Sequence, residues 1–254
     1  MTPCVSLWVG ERLGPVERAC FRSVLRQGHG LTLYCYRVPE GVPDGVAVRD
    51  AAEVLGEDKL IRHRTGSVGL FSDWFRFELQ RRGLGTWIDA DVYFCRPLDG
   101  ERPNLFGRLS ASLINGAVLR LASNSPMLPE LLRPFERQTT PDWMPLHWYL
   151  PAKLRELVRG KADLAAMPWG ALGPFALTAL ARKYSLFTQA DPPEVFYPVP
   201  WQKAGWIIDP AKSLEQMITS ETVGVHLWNE CIRDFKDKPP PAGSFLAQLH
   251  AEAR

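Results

Sequence analysis

The chain has 254 residues, enough to bury a full core in one large α/β domain or one domain with a small appendage. Its net charge is +2, so composition implies no nucleic-acid partner. No run approaches ~20 apolar residues, so no membrane-spanning segment is expected, and Met1 to Trp8 lacks a basic region followed by a long apolar one, the mark of a signal peptide.

Val5 to Val9 reads as a first strand ending at Gly10. Pro15-Val16-Glu17 opens a helix, with Pro suited to its first turn, and Ala19, Cys20, Val24 and Leu25 form its apolar stripe. Gly28 and Gly30 stop it, and Leu31 to Tyr36 is a second strand. This β-α-β start predicts a parallel sheet with ligands beyond the C-terminal strand ends, where Trp8-Val9-Gly10 would lie. Pro39 to Asp44 is a loop, and Ala51 to Leu55 a short helix. Leu70 to Gln80 is a helix by spacing: Leu70, Trp74 and Phe77 share one face, which Phe71, Phe75 and Leu79 widen. Asp73, Arg76 and Gln80 form a polar stripe across it, either an ion pair on a wet face or a charged pair at the mouth of a pocket.

Gly83 and Gly85 end this helix before Thr86-Trp87-Ile88-Asp89-Ala90-Asp91-Val92-Tyr93-Phe94. If the strand continues through this stretch, alternation points Asp89 and Asp91 to one side. Two carboxylates there repel unless a cation sits between them, and oxygen ligands favour Mn²⁺ or Mg²⁺. The bland alternative is a strand ending in two solvated aspartates.

Leu105 to Leu113 and Ile114 to Leu121 are apolar runs around Asn115-Gly116, a hairpin-turn signal. Met127 to Arg137 is predicted helical despite Pro129 and Pro134, and Asp142 to Leu150, rich in Trp and His, either lines a pocket or packs. Gly173-Pro174 starts a helix, either a plain helix start or one whose free N–H groups suit a phosphate. Val195 to Val199 and Val223 to Trp228 read as late strands, with His226 near the end of the second, where a lone His is more often a satisfied core residue than a ligand. Residues 236–254 form a Pro-rich linker and a short amphipathic helix, packed on or trailing a domain over 1–235.

The order Ser72-Asp73-x-x-Arg76, then Trp87-Ile88-Asp89-Ala90-Asp91, resembles the DXD-motif glycosyltransferases, the group of the initiation mannosyltransferases, the α-1,4-galactosyltransferases and the clostridial glucosylating toxins. Leu7-Trp8-Val9-Gly10, Gly173-Pro174-x-x-Leu177-Thr178 and Val225-His226-Leu227-Trp228-Asn229 agree in order, and the last, with Leu246 to His250, looks most like the α-1,4-galactosyltransferases. Gly83-Leu84-Gly85 stands where that pattern has Gly-Gly, and Trp87 where it has another aromatic.

The resemblance implies a GT-A fold, with a mostly parallel Rossmann-like sheet flanked by helices, a nucleotide-sugar donor and Mn²⁺ or Mg²⁺. It assigns the metal to Asp91, shared with Asp89, and sets His226 near the diphosphate or metal. Asp89 also contacts the ribose or sugar, and Asp73 and Arg76 grip sugar hydroxyls. Trp8 borders the base, Asn115 lies beside the donor sugar, and Gly173 and Pro174 complete the substrate set. The implied reaction moves a hexose from a UDP-sugar, UDP-galactose favoured, to a glycan, glycolipid or protein acceptor with retention. Asp89 and Asp91 carry the catalytic role. Two rivals stand: a haloacid-dehalogenase-type phosphatase with Asp89 as nucleophile, against which Tyr93 replaces the expected Thr or Val, and a non-catalytic nucleotide-sugar-binding module. Cys4, Cys20, Cys35, Cys95 and Cys231 contain no C-x-x-C pair and point to a reducing, cytoplasmic setting, with peripheral membrane contact left open.

Overall fold

The computed structural model describes residues 2–254. β1 (Pro3–Trp8) leads through α1 (Pro15–Arg26) to β2 (Gly30–Cys35), and β2 pairs parallel to β1. β3 (Val46–Asp50) adds a further parallel strand at the sheet edge. It is almost wholly exposed and shows no apolar alternation, so no burial signal marks it in the sequence. Asp50 then caps a 3-10 turn, Ala51–Glu53, in place of the expected helix.

α2 (Gly69–Arg81) feeds β4 (Thr86–Ile88), which lies parallel to β1. The strand does not continue through the aspartates, so the condition for their alignment by alternation is not met. Instead the chain turns at Asp89, where the Val92 N–H donates to Asp89 O at 3.2 Å, and β5 (Val92–Phe94) leaves the sheet. β6 (Leu105–Ser110) and β7 (Leu113–Arg120) follow as an antiparallel pair, with β7 antiparallel to β4. The main sheet therefore has six strands in the order β3-β2-β1-β4-β7-β6, parallel on one side and antiparallel on the other.

The Asn115-Gly116 hairpin expectation is corrected. The chain reverses at Ala111-Ser112, and Asn115-Gly116 sits inside β7 where the ladder with β6 slips. Asn115 Oδ1 accepts the Ala117 N–H at 2.9 Å, a local bond that competes with regular pairing.

α3 (Met127–Arg137), α4 (Leu146–Arg159) and α5 (Pro174–Lys183) come next, so the Trp- and His-rich 142–150 stretch enters a helix absent from the sequence reading. Residues 195–199 do not form the expected strand: α6 (Pro193–Phe196) takes the first two of them, because the consecutive prolines Pro192 and Pro193 supply no ladder N–H and suit a helix start. α7 (Leu214–Met217) precedes β8 (Gly224–His226), which pairs antiparallel with β5 in a second, two-stranded sheet. α8 (Asn229–Ile232) and α9 (Phe245–Glu252) end the chain.

Alternation along the strands builds one core on each face of the sheet. Val5, Leu7 and Trp87 pack with Phe71, Phe75 and the helices α2, α3 and α5, while Cys4 and Ile88 pack with Phe21 and Val24 of α1. A third cluster joins α1 to Tyr93, Val225 and α9. There Phe245 stacks on Trp206 at 5.0 Å, and Arg22 donates to the Glu252 carbonyl at 2.7 Å. The C-terminal residues are thereby tied to the first helix.

Candidate active site

The Asp89–Val92 turn projects its two carboxylates from the C-terminal end of β4, at the seam between the sheets. Strand alternation does not bring them together; the turn does. The Asp89 N–H donates to Ala117 O at 2.7 Å and fixes the turn on the β7 irregularity. His226, at the end of β8, completes the group: one ligand atom from each of Asp89, Asp91 and His226 lies within 4.8 Å of the others.

Arg76 holds the Asp89 side. The guanidinium is buried and lies 4.9 Å from the Trp87 ring centroid. Its Nη2 meets Asp89 Oδ1 at 3.1 Å, its Nη1 donates to Gly116 O at 2.6 Å, and its Nε stands 3.6 Å from Asp73 Oδ1. The Trp87 indole N–H adds a 2.7 Å bond to Asp89 Oδ1. The polar stripe of α2 is thus a buried ion-pair chain, with Gln80 bridging Gly85 O and the Leu121 N–H. Burial raises the Asp73 carboxyl; Arg76 opposes this and Asp89 adds to it, leaving the pKa pushed up to about 6.

Two glycines let these groups approach. A Cβ on Gly116 would stand 2.8 Å from Arg76 Nη1, and one on Gly173 would stand 2.6 Å from Asp73 Oδ2. Gly173 caps α5, with Pro174 in the first turn, so this helix start abuts the Asp73 carboxylate. Thr178 ties α5 to β7, its hydroxyl accepting the Ile114 N–H at 2.9 Å.

The other carboxylate is held by the C-terminal part of the chain. Asp91 Oδ2 accepts the Asn229 N–H at 2.7 Å and lies 3.2 Å from His226 Nε2, while the Leu227 N–H reaches Asp91 O at 2.9 Å. Burial alone would raise Asp91, but His226 and these hydrogen bonds outweigh it and hold the carboxyl below its usual range. Burial likewise opposes charge on His226, and Asp91 outweighs it, raising the imidazole pKa. Behind them, fully buried Glu17 accepts Asn229 Nδ2 at 2.7 Å and pairs with Lys236, which donates to Asn229 Oδ1 at 2.7 Å.

Trp8 closes β1 and packs into the cluster that contains Ala90 and Tyr197; its indole N–H is buried with no partner among the described residues. The Asn115 side chain is folded onto its own strand, and its carbonyl accepts the Tyr197 hydroxyl at 3.2 Å. Tyr197, Glu17 and Lys236 were missed by sequence reasoning. Tyr197 is edge-on to His226 at 5.9 Å. Trp228, beside His226 at 4.0 Å, has a left-handed backbone with φ +60°, the kind of local strain that collects at functional sites.

The residues present fit a divalent cation. Two carboxylates and an imidazole suit Mn²⁺, the His226 Nδ1 is buried without a hydrogen-bond partner, and Asp89 Oδ2 and Asp91 Oδ1 lie outside the contacts just described.

Residues 165–252 match the family model described as "Alpha 1,4-glycosyltransferase conserved region", a span that includes Gly173, Tyr197, His226, Asn229 and Lys236. The chain is 27% identical over 194 residues to the lactosylceramide 4-alpha-galactosyltransferases of Rattus norvegicus and Homo sapiens, covering 72% of this chain and 46% and 47% of those proteins. It is 29% identical over 206 residues to that of Mus musculus, covering 75% of this chain and 49% of the relative. The chain thus spans about half the length of these curated relatives. Residues 165–252 carry the alpha 1,4-glycosyltransferase conserved region, and the chain is a distant homologue of the lactosylceramide 4-alpha-galactosyltransferases.

Proposed function

We propose that the protein is a metal-dependent glycosyltransferase of GT-A fold that moves a hexose, galactose first among candidates, from a UDP-sugar to a glycan or glycolipid. The observation that carries this reading is the convergence of Asp89, Asp91 and His226 beside the Asp73–Arg76 pair. The conserved-region match supports transfer over the phosphatase reading. Relatives that the chain resembles are named for galactosyl transfer to lactosylceramide, which supports both the donor preference and a glycolipid acceptor.

Asp91, Asp89 and His226 would hold Mn²⁺ or Mg²⁺. When bound, such an ion stabilises the charge that develops on the departing diphosphate. The protein supplies the frame. Arg76 spends its donors on Asp89, Gly116 O and Ser72 O and stands as counter-charge beside Asp73, so it sets both carboxylates where sugar hydroxyls can be bound. Burial of these charges strengthens each contact with the substrate. Trp8 offers a flat apolar wall and an unspent N–H to the base. Transfer with retention by front-face displacement follows the resemblance, and the anomer of the product decides it. A cytoplasmic setting belongs to the same reading.

The test is a panel of nucleotide sugars assayed for hydrolysis with and without Mn²⁺. UDP-galactose is expected to turn over only with the metal. Release of phosphate from simple esters, with no nucleotide-sugar turnover, would instead favour the phosphatase.

A further inference from the structure

The helix α4 bears an apolar stripe that the site above does not use. Of the nine large apolar side chains that are strongly exposed among the described residues, five lie on it: Leu146, Leu150, Leu154, Leu157 and Val158, at 56–80% exposure. At roughly 100° per residue they fall within about 120° of arc, one continuous face. The opposite face is anchored. Ala152 is buried, Trp148 is edge-on to Phe175 of α5 at 5.6 Å, and Glu156 accepts the Thr140 N–H at 2.6 Å.

Charge indicates what covers the stripe. Lys153 and Arg155 lie on either side of it, and Arg159 and Lys161 follow at the C-terminal end. Over 146–161 there are four basic side chains and one carboxylate, Glu156, giving +3 where the whole chain carries +2. Lys153 meets Glu156 at 2.6 Å and Arg159 meets Asp163 at 3.1 Å, while Arg155 takes part in no ion pair among the described residues. A second copy of the chain would set these basic flanks against each other across a two-fold axis, an unfavourable arrangement. An anionic lipid surface matches both parts: headgroups meet the Lys and Arg side chains, and the leucines enter the acyl boundary. No helix among the described residues is long and apolar enough to cross a membrane, so α4 would lie in the plane.

We propose that α4 docks the protein on an anionic membrane surface. The placement relative to the carboxylates gives this a use. Phe175, which Trp148 touches, lies two residues beyond Gly173, and Gly173 abuts Asp73. A membrane-seated α4 therefore puts the site one helix away from the lipid. The docking itself does not depend on the identity of the donor.

Co-sedimentation with lipid vesicles tests it. The protein is expected to bind phosphatidylcholine vesicles containing phosphatidylglycerol, and to bind less at high salt. The Leu150→Ser/Leu154→Ser double variant is expected to lose about tenfold or more in partitioning, and Lys153→Gln/Arg155→Gln to lose most of the salt-sensitive part. Thermal melting and Mn²⁺-dependent donor hydrolysis in solution, both expected to be unchanged in the two variants, separate a docking defect from a folding or donor defect. Equal partitioning of the leucine variant, or no binding of the unaltered protein, would overturn the proposal. A concentration-dependent dimer that disappears in the leucine variant would overturn it in favour of self-association.

Discussion

Asp89 and Asp91 are separated by one residue, yet different parts of the chain hold them. Asp89 belongs to a helix-held half, gripped by Arg76 and the Trp87 indole, with Asp73 and Gly173 beside it. Asp91 belongs to a tail-held half, gripped by His226 and the Asn229 N–H, which the buried Glu17 and Lys236 support. The helix half is a chain of alternating charges, Asp73–Arg76–Asp89. In the tail half, His226 Nδ1 remains buried and unpartnered. Under the proposed function the two halves divide the work: Asp73 and Arg76 would frame the sugar, and Asp91 and His226, with Asp89 at the seam, would receive the cation.

The largest effect is expected from breaking the helix half. Arg76→Ala removes a guanidinium that is 8% exposed and leaves Asp73 and Asp89 uncompensated. A loss of about 3–5 kcal/mol in urea unfolding is expected. A loss under about 1 kcal/mol would mean that the carboxylates are hydrated and the frame is not one.

Breaking the tail half should act on turnover. Asp91→Ala is expected to lower kcat by roughly 10² or more, as loss of a placed charge stabiliser does. Near-normal turnover with an intact fold would refute the metal role. A substitution that sharpens the comparison is Gly173→Ala, whose Cβ would stand 2.6 Å from Asp73 Oδ2. It should push Asp73 aside, raise KM for the donor and cost about 1–3 kcal/mol in stability. An unchanged KM would remove Asp73 from the sugar side.

The smallest effect concerns pH. Asp73 titrates near 6 when folded, against 3.8 for an ordinary aspartate. Between these values the folded state keeps a proton that the unfolded state releases, so stability through this group rises as pH falls from 7 to 5. Asp73→Asn should flatten that part of the melting-temperature profile, measured with chelator present, and should be the more stable form at pH 7. An unchanged slope would show Asp73 to be solvated.

Much of the helix half was legible in the sequence. Apolar spacing placed Leu70 to Gln80 on a helix, and the Asp73–Arg76 interval put those groups on one side of it. The Asp89–Asp91 grouping was legible too, but for the wrong reason: a turn and a change of sheet bring them together, not alternation along one strand. Asn115-Gly116 carries strong turn chemistry, yet Arg76 closes on Gly116 and makes it an irregularity inside β7. The tail half was mostly hidden. Glu17 sits on the first helix and Lys236 near the end, and their pairing across 219 positions leaves no local pattern. The edge strand β3 and the exposed stripe of α4 escaped because both depart from the rule that apolar periodicity faces a core.

Manganese uptake tests the central claim most directly. Titration of free Mn²⁺, followed by electron paramagnetic resonance in the presence of UDP, is expected to show one ion taken up per chain and to show that uptake lost in Asp91→Asn. No uptake by the unaltered protein, or equal uptake by the variant, would contradict a metal held by Asp89, Asp91 and His226.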